Sequence, residues 1–178
     1  MKTNQRPFKN QPVIIVPYDS EWPSVFQDES NRIWSAVGNY LTTLEHIGST
    51  SVPGLAAKPI IDMLAGLKSL EDTPEIVINL TSIGYVYEPE REKDIPERRY
   101  FCKMKKGQLG FHLHMVKPTT EFYIRHIAFR DYLRSHPEAA AEYAALKTKL
   151  SSQYRSDREG YTNAKTAFIK EIERKALQ

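Results

Sequence analysis

The sequence predicts an α/β fold of the α+β kind, a mixed sheet with flanking helices and a helical part at its C-terminal end. Three features carry that prediction. Segments of strand and helix texture alternate as far as Val116. The run "PIIDMLAGL" is apolar almost throughout, as a central strand is. After Pro118 the apolar residues recur at helical spacing. With 178 residues the chain can close a real core. It divides into an N-terminal arm (1–17) and one domain (18–178), the latter made of an α/β core (18–118) and C-terminal helices (119–178).

Each element has its own local signal. "VIIVPYDS" reads as a short extended arm ended by Pro17. Asp19-Ser20 before Glu21-Trp22-Pro23 is a helix start, and Trp22, Phe26, Ile33, Val37 and Leu41 then recur over a helix from about Glu21 to Tyr40. "TTLEHI" is β-branched and ends at Gly48. Residues 50–58 are too rich in Pro and Gly for more than a turn, and "PIIDMLAGL" follows as the second strand. Thr73-Pro74 opens a helix that Gly84 closes. "YVYE" reads as a strand and "PEREKDIPER" as a charged, mobile loop. "RYFCKMK" and "GFHLHMV" flank Gly107-Gln108-Leu109-Gly110 as an antiparallel hairpin. Three helices finish the chain, from about Glu121 to Arg134, from Pro137 onward, and through "TNAKTAFIKEIERKAL".

Composition narrows the function classes. The 25 Lys and Arg exceed the 22 Asp and Glu by only three, which argues against wholesale nucleic-acid binding. Cys102 has no internal partner for a disulfide, so a reducing cytoplasm is the expected location. The N-terminal apolar run Val13–Val16 is too short for a secretory signal, and no stretch approaches the length that spans a membrane. Oligomeric state stays open.

The chemistry gathers around "EHIGSTSVPGLAAKPIIDMLAGL". In Gly48-Ser49-Thr50-Ser51, a glycine lets a ligand approach the backbone and three hydroxyls add donors, which suits phosphate; taken alone, it equally suits a plain strand-to-helix turn. Asp62 is an acid in an apolar strand and needs a partner, a proton or a metal. Strand alternation puts it on one face with Ile60 and Leu64. His112 and His114 share a face of the hairpin strand, about 7 Å apart, and are candidates for metal ligands or proton carriers. Glu45 and His46 are expected at the mouth of the same pocket. Lys58, Arg98 and Arg99 are candidate phosphate contacts. Lys147, Tyr143 and Tyr161 belong with a charged helix exterior anchored by tyrosines, whereas Lys165, beside Ala164, Ala167 and Phe168, is expected to reach phosphate from a packed helix face.

The motifs "EHIGSTSVPGLAAKPIID", "FHLHMV", "FRDYLRSHPEAAAEYAALK" and "YTNAKTAFI", in that order, resemble the GrpB (UPF0157-type) family. Its members are small bacterial proteins, found also as extensions of dephospho-CoA kinases. The family looks like a divergent branch of the polymerase-β-like nucleotidyltransferases. That resemblance implies a Gly-Ser turn gripping nucleotide phosphates and a strand carrying two metal-binding acids one residue apart. Gly48-Ser49 and Asp62 match, but Leu64 stands where the second acid belongs. The expected ligand is a nucleotide or other phosphorylated small molecule, with a nucleotidyl group passed to a small acceptor. Asp62, His112 and His114 are the candidate catalytic and metal-binding residues, with Mg²⁺ or Mn²⁺ as the expected ion and Zn²⁺ as an option. The alternatives are a binding or interaction module that has lost catalysis, and a histidine-based metal hydrolase.

Overall fold

A computed structural model describes residues 12–104 and 110–178. Five strands form one mixed sheet: β1 (Leu41–Ile47), β2 (Ile60–Leu67), β3 (Val86–Tyr87), β4 (Arg99–Met104) and β5 (Gly110–Val116), in the order β1-β2-β5-β4-β3. β2 and β5 pair in parallel at the centre, and every other pair is antiparallel. The apolar texture of β2 has its cause there, because a central strand is covered on both faces.

One face of the sheet packs on α1 (Trp22–Val37) and α2 (Thr73–Ser82). Ile61, Met63 and Ala65 of β2, Leu113 and Met115 of β5 and Phe101 of β4 meet Ile33, Val37, Ile76 and Leu80 in the main core. Each of these side chains larger than Ala65 contributes roughly 1.5–3 kcal/mol on burial, and this face holds most of the large apolar residues. The opposite face carries Ile60, Asp62 and Leu64 in alternation with that core, as a period of two requires. α3 (Glu121–Ser135) covers one end of it, where Phe122 packs on Ile47, Leu64 and Val116. α4 (Pro137–Gln153), α5 (Arg158–Ala164) and α6 (Thr166–Ala176) complete the C-terminal part. Val52 and Leu55, which follow β1, join Leu133, Tyr143 and Ile172 in a second apolar cluster. The turn after β1 is thereby held against the helices.

Several local expectations change. The first helix ends at Val37, and Gly38–Tyr40 tightens into a 3₁₀ turn. β3 shrinks to two residues. The charged segment after it folds into a 3₁₀ turn at Pro89–Lys93, drawn in by ion pairs of Glu88 with Arg91 and of Glu92 with Arg99. The last predicted helix breaks at Lys165 into α5 and α6. The hairpin pairs in the expected register, Arg99 opposite Met115 and Met104 opposite Gly110; its turn at 107–109 and the polar terminus 1–11 lie outside the described residues. The arm starts within them: the Val13 N–H donates to the Arg155 carbonyl, and Val16 bridges to Ala57. Among the described residues no helix is long and apolar enough to cross a membrane.

Candidate functional site

A cleft of about 320 Å³ opens between the second face of the sheet and the C-terminal helices. Gly48, Ser49, Thr50, Lys58, Asp62, His112, His114 and Lys165 all line it, so the turn, the acid, both histidines and two of the predicted cations converge on one space. The size is that of a small-molecule site.

The turn is glycine-dependent twice over. Gly48 has φ +68° and ψ −172°, a region that side-chain-bearing residues avoid, and a Cβ there would stand 2.6 Å from Asp62 Oδ2. The hydroxyls do not all face the cleft. Ser51 Oγ donates to the Gly48 carbonyl (2.6 Å), and Thr50 Oγ1 donates to the Ile60 carbonyl (3.1 Å). Those two groups shape the turn. Ser49 and Tyr143 both line the cleft wall.

Asp62 and His112 form a dyad. They stand opposite each other across the parallel β2–β5 ladder, and His112 Nδ1 lies 3.0 Å from Asp62 Oδ1. A neutral imidazole that donates from Nδ1 has Nε2 as its basic nitrogen. Burial pushes the Asp62 carboxyl up, but the bond from His112, the nearby His112 and His114 rings and Lys58 outweigh it and hold the acid at about 2. His114 lies deeper; burial, then the nearby His126 and Arg98, hold its imidazole well below the usual range. Its Nδ1 has no hydrogen-bond partner. His112 and His114 also line a second chamber of about 830 Å³, walled by Tyr100, Arg91, Asp94 and Arg158.

The expected metal set does not assemble. Asp62 and His112 face each other as hydrogen-bond partners, and among the described residues no three His, Cys, Asp or Glu side chains stand close enough to share a cation. Leu64 is fully buried among Ile47, Val116 and Phe122, so the strand offers no second acid in this pocket.

Four predicted contacts point elsewhere. His46 alternates with Ile47, which is the residue opposite Asp62, so its ring leaves by the other face and stacks on Phe26 at 4.8 Å. Burial, ahead of nearby charges, drops its imidazole to about 4. Glu45 pairs with Arg130 at 2.7 Å. Arg99 shares a face with Met115 and bonds Thr73 and the Pro96 carbonyl. Arg98 is buried over Tyr100 and Phe122 and lines neither chamber.

The C-terminal helices supply more than expected. Lys147, assigned to a helix exterior, is 2% exposed and lines the cleft with Tyr143 and Tyr161. Its Nζ donates to the Ala56 carbonyl (2.5 Å) and lies over the Tyr143 ring; Lys58 and Lys165 both lie over Tyr161. The signal was present: Ala139, Tyr143 and Leu150 make the buried stripe of α4, and Lys147 is one turn beyond Tyr143 on that stripe. His126 and Glu173 also reach the cleft; the former donates to the Phe122 carbonyl and the latter is gripped by Arg125.

The family model described as "GrpB protein" matches residues 12–175. The chain is 37% identical over 169 residues to the UPF0157 protein YqkA of Bacillus subtilis, covering 95% of this chain and 48% of that protein; it thus spans about half of that relative's length. It is 36% identical to the UPF0157 protein BH1888 of Halalkalibacterium halodurans, over 94% of this chain and 84% of that one. The crystal structure of the conserved protein GrpB from Enterococcus faecalis overlays with a TM-score of 0.84 at 36% identity, covering 92% of this chain and 97% of that chain. With a match that runs from the arm to the last helix, the chain belongs to the GrpB family.

Proposed function

We propose that the cleft binds a nucleotide or another phosphorylated small molecule and that its dyad serves transfer of the nucleotidyl group to a small acceptor. The observation that carries this reading is the convergence of Lys58, Lys147 and Lys165 with Ser49 on the chamber that holds Asp62 and His112. Lysines bind phosphate as point charges, and three of them around one chamber match a phosphate chain better than a neutral metabolite.

The chemistry then follows from the dyad. An acceptor hydroxyl in the second chamber attacks the α-phosphorus, forming an O–P bond while the bond to the bridging oxygen breaks and pyrophosphate leaves. The hydroxyl proton passes to His112 Nε2, and Asp62 steadies the resulting imidazolium through Nδ1–H. The lysines carry the charge that develops on pyrophosphate. Any Mg²⁺ or Mn²⁺ belongs to the substrate, arriving on its phosphate oxygens.

A second reading has one specific observation behind it. Leu64, sealed in an apolar cluster, fits a module that binds its ligand without reaction. Titrating the chain with each NTP, with and without Mg²⁺ or Mn²⁺, and analysing products separates the two. Transfer predicts binding and a nucleotidylated or hydrolysed product; the module predicts binding alone. Absence of binding to every NTP would sink transfer and leave the module only a phosphorylated ligand that is not a nucleotide.

A further inference from the structure

Lys58, Lys147 and Lys165 bring three potential positive charges to one chamber of about 320 Å³. The two carboxylates on its wall are engaged, Asp62 by His112 and Glu173 by Arg125. Lys147 is the most deeply placed of the three lysines, with one bond to the Ala56 carbonyl.

We propose that Lys147 is the specificity-determining residue of this cleft, selecting a linked chain of two or three phosphates over a single phosphate. The inference rests on the phosphorylated-ligand reading above and narrows its ligand class to polyphosphates, free or as the tail of a nucleotide. One phosphate dianion is matched by Lys58 and Lys165, with little charge left to call on the deeper amine. A longer chain carries more charge and spans more of the chamber, so it reaches Lys147 and favours the ammonium form there.

The surroundings support that coupling. Burial, then Lys165 and Lys58, bring Lys147 down to about 7. Burial and Lys58, against Asp62, bring Lys165 to about 8. Lys58 is lowered by burial and Arg158. Tyr143 on the same helix and Tyr161 on α5 are pushed up by burial and stay neutral. His126 from α3 donates to a backbone carbonyl, and Glu173 from α6 is held by Arg125. Lys147 is thus the group placed to gain most of a proton as the anion enters, with Lys165 adding a smaller share.

Calorimetric titration of the full chain at pH 8 with inorganic phosphate, pyrophosphate and triphosphate, in buffers of different ionisation enthalpy, tests this. The wild type is expected to prefer triphosphate to phosphate at least tenfold and to take up a proton on binding it. Lys147→Met should lower triphosphate affinity at least tenfold, leave phosphate within threefold and cut that uptake to the smaller share that Lys165 takes. Lys147→Arg, charged throughout, should keep the preference and cut the uptake by more than half, which covers a Met variant that folds poorly. A Lys147→Met chain with the wild-type preference, or a Lys147→Arg chain with the wild-type uptake, overturns the proposal. If no phosphate and no NTP binds the wild type, the phosphorylated-ligand reading falls first.

Discussion

Gly48 and Asp62 show at the residue scale how tightly the turn is fitted to the acid. Gly48→Ala places a methyl group against a carboxylate oxygen in a backbone region that itself costs about 1–3 kcal/mol for such residues. Gly54 also has positive φ (+77°), but nothing lies within 4 Å of a Cβ there. Urea unfolding should therefore show Gly48→Ala losing more stability than Gly54→Ala; equal losses would mean the clash relaxes freely. Asp62→Asn tests the dyad. The amide no longer stabilises an imidazolium, so transfer should fall by about 10²–10⁴, the share of a general base, while nucleotide affinity, held by the lysines, changes by less than tenfold. A variant with unimpaired turnover would remove His112 from the proposed role. The side-chain identities at this centre were legible in the sequence because an acid in an apolar strand and two alternating histidines are rare patterns. Strand alternation takes Arg99 away from the cleft: Tyr100 faces His114, so Arg99 shares the other face with Met115.

Individual elements settle what the residues alone could not. α3 holds the turn at both ends, Arg130 donating to the His46 carbonyl (3.1 Å) and Arg134 to the Ser51 carbonyl (3.0 Å). Arg130 also binds Glu45, but that carboxylate side chain is 37% exposed, which weakens the pair. Arg130→Met should thus cost about 1–2 kcal/mol, less than the loss of a fully buried pair, and should weaken nucleotide binding by loosening the turn. Thermal melts and nucleotide titration of the variant check this; an unchanged affinity would show that Arg134 suffices. Element types followed from local texture: β2 is apolar almost throughout because both its faces are covered, and α4 buries Ala139, Tyr143, Lys147 and Leu150 as a stripe. The position of His46 depended on which residue of β1 stands opposite Asp62, and that register is a property of the pair of strands.

Across the whole molecule, the cleft owes its existence to the way α4, α5 and α6 settle against the sheet, and no local pattern states that arrangement. The charge it encloses has a measurable consequence. The folded Lys147 and Lys165 sit at about 7 and 8, whereas unfolding returns them toward 10.5. Between pH 7 and 9 the unfolded chain binds more protons than the folded one, so these lysines make stability rise with pH. Melting temperatures across that range should climb more steeply for the wild type than for Lys147→Met. Identical slopes would show that Lys147 is charged in the folded chain.

The arm brings a remote lever to the cleft. Val13 is wedged beside Tyr161 and Leu150, and Tyr161 is the ring on which Lys58 and Lys165 lean. Loosening that packing at Val13 therefore reaches two of the amines through one aromatic plate, and the grip can slacken without any change in the residues that form it.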